Sequence, residues 1–174
     1  MSEQAEFEAL FRETRAPLLG YLTRRAPAED AADLLAEVYL VAWRRRADLP
    51  RGDERRLWLF GVARRLVAEH HRHVVARADA EGEAAPPQPR GADHGRGDAV
   101  LDALETLSEL DRELVTLTTW EGLSPAEAGR VVGITAGTAR VRLHRARARL
   151  ARHPRLSGLL GDADDDVMAP AAVR

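Results

Sequence analysis

The stretch from Ser124 to Leu150, SPAEAGRVVGITAGTARVRLHRARARL, limits what this chain can fold into more than any other. It reads as two short helices joined by a tight turn. Ser124, Pro125 and Glu127 fit a capping box with proline at the first helical position. The Ser hydroxyl meets an exposed amide and the Glu carboxylate reaches back three residues. Gly133 stands where the first helix should end, because glycine takes the left-handed conformation there at little cost. Thr135 is placed to cap the second helix. Ala139, Leu143, Ala146 and Leu150 recur at helical spacing and form one apolar stripe, with small alanines that permit close helix approach. The other faces carry Arg140, Arg142, Arg145, Arg147 and Arg149. A capped helix, a glycine turn and a cationic second helix make the pattern of a helix-turn-helix whose second helix reads DNA.

Charge supports this reading. From Arg130 to Arg155 there are eight Arg and no Asp or Glu, whereas a merely solvated face intersperses both signs. At 100° per residue, Val141, His144 and Arg145 lie opposite the apolar stripe, flanked by Thr138 and Arg140; those near the helix start are expected to reach base edges. Arg142, Arg147 and Arg149 lie nearer the sides and suit phosphate contacts, which position a protein without specifying sequence. For His144 the plainer alternative is a solvent-exposed imidazole.

The 174 residues suffice for one medium domain or two small ones. No signal peptide and no membrane-spanning apolar run is apparent, and there is no Cys, so neither disulfides nor a thiolate metal site is expected. These features fit a cytoplasmic protein. All 26 basic residues are Arg, and Lys and Asn are both absent; the codon usage of a GC-rich genome accounts for both. The net charge of −2 hides a division. Residues 1–77 hold 14 Arg and 12 acids, residues 78–99 hold 2 and 5, residues 100–157 hold 9 and 7, and residues 158–174 hold 1 and 4. Mildly basic blocks alternate with acidic ones, so the mean charge does not argue against nucleic-acid binding, which follows local patches.

The same division marks the organisation. Residues 78–99 contain Pro86-Pro87, several Gly and almost no large apolar side chain, the composition of a linker. A linker this long favours two domains, 1–77 and 100–157, each with a small core. Residues 158–174, with Asp164, Asp165 and Asp166, are expected to be a disordered acidic tail; masking of DNA binding and a tag for turnover are the sharper alternatives. No alternating strand pattern is visible, and the fold class expected is all-α. In the first block Phe7, Leu10, Phe11, Leu18, Leu19 and Leu22 line one or two helices, with a break or kink expected at Pro17. A second helix is expected from Asp30 to Arg46 and a third from Leu57 to about His73, separated by a turn from Leu49 to Asp53.

Three groups in this block bear on chemistry. Asp33 and Glu37 share one exposed helix face, which spacing alone reads as ordinary solvated carboxylates. Arg55, Arg56, Arg64, Arg65, Arg72, His70, His71 and His73 gather near Trp58 and Phe60, a mixture suited to single-stranded DNA, although Trp58 by itself reads more readily as core. His70 and His73 lack a third ligand, so no metal is expected. Paired carboxylates with a metal-site pattern, a phosphate-binding glycine loop and a nucleophile with a His partner are all missing, which argues against an enzyme.

Taken together, residues 5–153 resemble an extracytoplasmic-function (ECF) sigma factor of the sigma-70 family. DAADLLAEVYLVAWRRR is similar to the polymerase-docking helix of region 2, and LWLFGVARRLVAEHHRH to its −10 element. LETLSELDRELVTLTTWEGLSPAEAGRVVGITAGTARVRLHRARARL is similar to region 4 nearly end to end. The resemblance implies a non-catalytic initiation factor that recruits core RNA polymerase to promoter DNA, with no cofactor. Asp33 and Glu37, with Leu34 and Trp43, then dock on the clamp helices of the polymerase largest subunit, and the second domain meets the flap region. Trp58, Arg64, Arg65, Glu69, His70 and Arg72 fall in the part that melts and captures the −10 element. Thr138, Arg140, Val141, Arg142, His144 and Arg145 fall at the −35-reading positions, with Thr138 and Arg142 as backbone contacts. The linker matches the segment threaded through the polymerase, and an anti-sigma factor is implied as a further partner.

Three departures from the family pattern stand out. Arg65 replaces a frequent Asn and offers only hydrogen-bond donors to a flipped base. Val141 replaces a small polar residue and offers a methyl contact but no hydrogen bond. Ala128 and Gly129 replace a larger apolar residue and Ala, so looser packing of the turn motif is expected. The competing reading is a stand-alone helix-turn-helix regulator that binds an operator without polymerase.

Overall fold

The computed structural model describes residues 3–82 and 96–156, and the chain divides into two compact units, Met1–Arg90 and Gly91–Arg174. Every regular element among the described residues is helical. The first unit holds α1 (Glu3–Thr23), α2 (Ala28–Arg44), a single 3₁₀ turn (Arg46–Asp48) and α3 (Glu54–Glu81). The second holds α4 (Arg96–Glu105), α5 (Glu109–Thr119), α6 (Pro125–Val132) and α7 (Ala136–Ala151).

In the first unit the three helices pack pairwise around Leu18, Tyr21, Leu22, Val38, Leu59, Phe60 and Val62, all almost completely buried. Pro17 lies inside α1, and the helix continues through it instead of breaking. Leu10 and Thr14 before the proline, and Leu18, Tyr21 and Leu22 after it, are all buried. That packing keeps both halves helical despite the backbone bond that proline forfeits. The Tyr21 and Phe60 rings meet edge to face at 5.5 Å. Polar ties complete the unit: His71 Nε2 lies 2.7 Å from the Arg25 carbonyl, and His70 Nε2 lies 3.5 Å from an Asp30 oxygen.

A buried hydroxyl pair joins α1 to α2. Thr14 Oγ1 donates to the Leu10 carbonyl at 2.7 Å and lies 2.8 Å from the Tyr39 hydroxyl. Threonine has one hydroxyl proton and it is already committed, so Tyr39 is the donor to Thr14. Burial raises the pKa of Tyr39 above its ordinary value.

The linker expected over 78–99 is shorter at both ends. Helix α3 runs eight residues past His73 to Glu81 and closes on Gly82, whose φ of 70° is left-handed. Ala78 is buried, so this last stretch is held by packing, and Ala and Glu sustain a helix once a long one precedes them. On the other side α4 begins at Arg96, with Ala99 buried. Low apolar content removes the means to form a core, not the means to extend a helix already anchored. The remainder of the expected linker and the tail 158–174 lie outside the described residues.

In the second unit α5 contacts both α6 and α7. Leu104, Leu107, Leu114, Leu117, Leu123, Ala128 and Val131 are buried, as are Ala139, Leu143 and Ala146 of α7, and α5, α6 and α7 pack against one another. Helix α5 starts at Ser108, whose hydroxyl accepts from the Asp111 amide at 3.2 Å. Arg155 pairs with Asp102, fastening the segment after α7 to α4.

Candidate nucleic-acid interface

The turn motif forms as its residues dictate. Ser124 Oγ accepts from the Glu127 amide at 3.3 Å and Glu127 Oε2 accepts from the Ser124 amide at 2.7 Å, a complete capping box with Pro125 at the first position. Gly133 closes α6 with φ 80°, and Ile134 N–H donates to the Gly129 carbonyl at 2.9 Å across the turn. Thr135 caps α7 by accepting from the Thr138 amide at 3.2 Å. These bonds supply partners for backbone groups that the helix ends would otherwise leave unpaired.

Gly129 does the reverse of loosening this motif. A Cβ built on it would lie 3.1 Å from Ala139 Cβ and 3.1 Å from the Ile134 carbonyl oxygen. The missing side chain lets α6 settle against the start of α7. The expectation of looser packing considered only the helix propensity of glycine; here the dense crossing between helices outweighs it.

Helix α7 buries Ala139, Leu143 and Ala146 and leaves Leu150 half-buried. Thr138, Arg140, Val141, His144 and Arg145 are exposed, and Val141 at 50% is conspicuous for an aliphatic side chain. The Thr138 hydroxyl sits 2.9 Å from that of Thr135. The arginines divide into two sets. Arg142 Nε donates to Asp111 Oδ1 at 2.8 Å and its NH2 reaches Ser108 Oγ at 3.4 Å. Arg147 NH2 donates to Thr118 Oγ1 at 3.2 Å. Arg140, Arg145 and Arg149 are exposed, and Arg147 is exposed too despite its bond to Thr118. The outward face thus combines guanidinium, imidazole, hydroxyl and methyl groups, which match phosphates, base acceptors and thymine methyl groups.

In the first unit α3 carries the second group of expected DNA contacts. Arg65, Glu69 and Arg72 are exposed, while Arg64 and His70 are half-buried. Arg65 Nε reaches the Gly61 carbonyl at 3.4 Å, and Glu69 pairs with His73 at 3.8 Å. Trp58 is half-buried beside the core residues Leu57, Leu59 and Phe60.

On α2, Asp33 and Glu37 are exposed on one face. Trp43 is 41% exposed; its ring meets Phe7 edge to face at 5.0 Å and carries Arg46 at 4.8 Å. Leu34 is different. It is buried beside Ala31 and Val38, so it belongs to the three-helix core and offers no surface to a docking partner. Its place next to Asp33 in sequence is a quarter-turn away in space.

Sequence reading did not anticipate the inward bonds of Arg142 and Arg147. The signal for the first was present: Ser108 and Asp111 have the spacing of a helix cap, which puts a carboxylate at the start of α5. Nothing in the sequence tells which arginine on α7 faces it.

An all-helical chain with a fully capped helix-turn-helix and an outward cationic face has the build of a DNA-binding transcription protein. The model for "Sigma-70, region 4" matches residues 97–150. RNA polymerase sigma factor CarQ of Myxococcus xanthus is 34% identical over 170 residues, covering 94% of this chain and 94% of CarQ. ECF RNA polymerase sigma factor SigC of Mycobacterium tuberculosis is 32% identical over 167 residues, covering 91% of this chain and 84% of SigC. Among solved structures, CnrH in complex with the cytosolic domain of CnrY superposes with a TM-score of 0.61 at 26% identity, covering 92% of this chain and 90% of CnrH. The sigma factor RpoE of Bartonella quintana, in complex with the anti-sigma factor NepR, shares the fold with a TM-score of 0.64 at 23% identity, covering 84% of this chain and 94% of RpoE. The chain belongs to the ECF RNA polymerase sigma factor family.

Proposed function

We propose that this sigma factor recruits core RNA polymerase to its promoters by dividing the work between its two units. The second unit reads the −35 duplex through Thr138, Arg140, Val141, His144 and Arg145, set along one outward face of α7. The first unit docks on polymerase through Asp33, Glu37 and Trp43, and opens and holds the −10 element through the Arg64–His73 stretch of α3. The polymerase supplies the chemistry and this chain supplies position.

The observation that carries the reading is the exposed cationic face of α7, held by a capped turn in a chain matched along 94% of its length by a sigma factor. An anti-sigma factor as a further partner is supported by the relative solved with one. A cytoplasmic site of action follows from the reading, since that is where polymerase works. No helix among the described residues is long and apolar enough to cross a membrane.

The test is reconstituted transcription. Purified chain is added to sigma-free core polymerase with GC-rich genomic DNA, and RNA 5′ ends are sequenced. The expected result is discrete new starts that share a −35/−10 pair. Tight operator binding by the chain alone, with no new starts, would replace this reading with the stand-alone regulator.

A further inference from the structure

Five arginines on one helix invite the assumption that all of them serve DNA. The bonds of α7 divide them. Arg142 and Arg147 lie about 60° and about 80° to either side of the Ala139 direction, so they border the buried stripe on opposite edges. Each turns inward to α5. Arg142 is held near the first turn of α5 by Asp111 at 2.8 Å, and Arg147 near its last turn by the Thr118 hydroxyl at 3.2 Å. The carboxylate of Asp111 is itself fixed, since its second oxygen accepts from Ser108 Oγ at 2.8 Å. Neither member of the Arg142–Asp111 pair is fully exposed, with side-chain exposures of 35% and 23%.

We infer that Arg142 and Asp111 form a positioning pair that sets the rotation of α7 about its own axis, and that Arg142 is not a phosphate contact. This rests on α7 being the −35-reading helix. Apolar packing is tight where Ala139 meets Gly129 at the start of α7; beyond that crossing only Leu143 and Ala146 are buried, and the Ala146 methyl does little to fix the rotation of the rest of the helix. A charge-assisted bond at one edge and a hydroxyl bond at the other remove that freedom. Rolling would carry Val141 and Arg145 across the base edges, so the pair acts on sequence discrimination through residues it does not touch.

The two roles of Arg142 differ in what they predict. A phosphate contact releases counterions, so its loss lowers the slope of log K against log salt by about 0.9 on every sequence. Removal of Asp111 would then free Arg142 and tighten binding. A positioning pair predicts that Arg142→Ala and Asp111→Ala act alike and leave the slope unchanged.

The experiment uses the full chain assembled with core polymerase. Binding is measured across a salt series on a mapped promoter and on variants with single −35 base changes; circular dichroism melts verify that each protein folds. The expected result is a loss of about tenfold in discrimination for either single variant, with an unaltered salt slope and no further loss in the double variant. The exchanged pair, Asp111→Arg with Arg142→Asp, restores discrimination although it removes the cation at position 142 of α7. A reduced slope for Arg142→Ala, or tighter binding for Asp111→Ala, would overturn the inference and return Arg142 to the phosphates. Absence of −35 discrimination in the wild-type holoenzyme would instead overturn the assignment of α7 as reading helix, and this inference with it.

Discussion

Gly129 and Ala139 meet where α6 crosses the start of α7, and a methyl group on Gly129 would stand 3.1 Å from that of Ala139. Gly129→Ala should therefore destabilise the second unit, although Gly to Ala inside a helix normally stabilises by about 1 kcal/mol. The added methyl also meets the Ile134 carbonyl at 3.1 Å, and the Ile134 amide is bonded back to the Gly129 carbonyl, so the turn has little room to yield. Overpacking of this kind costs about 1–3 kcal/mol, and the net loss expected is about 1 kcal/mol. Denaturant unfolding of the two proteins measures it; equal or greater stability in the variant would show that the crossing can relax.

Asp33 and Leu34 are neighbours in sequence with opposite fates. Asp33→Arg, on the exposed face of α2, should abolish competition for core polymerase while leaving the melting temperature within the range of ordinary surface changes. Leu34→Ala should do the reverse in origin: it removes buried volume and costs about 2–5 kcal/mol of stability, and any loss of docking follows from unfolding. A competition assay run beside thermal melts separates the two. Unchanged polymerase affinity for Asp33→Arg would remove Asp33 from the docking surface.

Arg145 is exposed on the outward face of α7. Arg145→Ala should weaken binding of the holoenzyme to its best −35 sequence by about 1–3 kcal/mol and relax the preference at one base pair. An equal loss on all −35 sequences would make it a phosphate contact instead.

Tyr39 gives a pH signature. Burial raises its pKa, and the neutral hydroxyl is the form that donates to Thr14. The contribution of this hydroxyl is therefore complete below the unfolded-state value of about 10 and is lost as pH rises through the higher folded-state value. Tyr39→Phe should cost about 1 kcal/mol at neutral pH through the lost hydrogen bond. The gap between the two proteins should close above pH 10. Unfolding curves collected from neutral to alkaline pH check this; a gap that stays constant would mean that the hydroxyl titrates alike in both states.

Where a residue type has one physical use, the sequence could be read directly. The Ser124–Glu127 box, the Gly133 turn, the Thr135 cap and the Ala139, Leu143, Ala146 stripe formed as their chemistry requires. No break forms at Pro17, because local propensity yields to burial on both sides of it. The end of α3 was misplaced because a helix already anchored by its first half extends through residues that would not start one. Gly129 was misjudged because propensity is a property of one helix, while the space beside it belongs to two. The partners of Arg142 and Arg147 were hidden for the same reason. Sequence shows which side chains carry charge, but their direction is fixed only when α5 is laid against α7.

The separation of inward and outward residues on α7 has a consequence for how such a protein can change. Ala139, Leu143 and Ala146, with Arg142 and Arg147, hold the helix in place, whereas Thr138, Arg140, Val141, His144 and Arg145 face away. Substitutions in the second set, apart from Thr138 with its hydroxyl beside the Thr135 cap, leave the anchoring of the first intact. If the outward set reads the −35 element as proposed, promoter preference can drift in a lineage, or be rewritten at the bench, with the scaffold inherited unchanged.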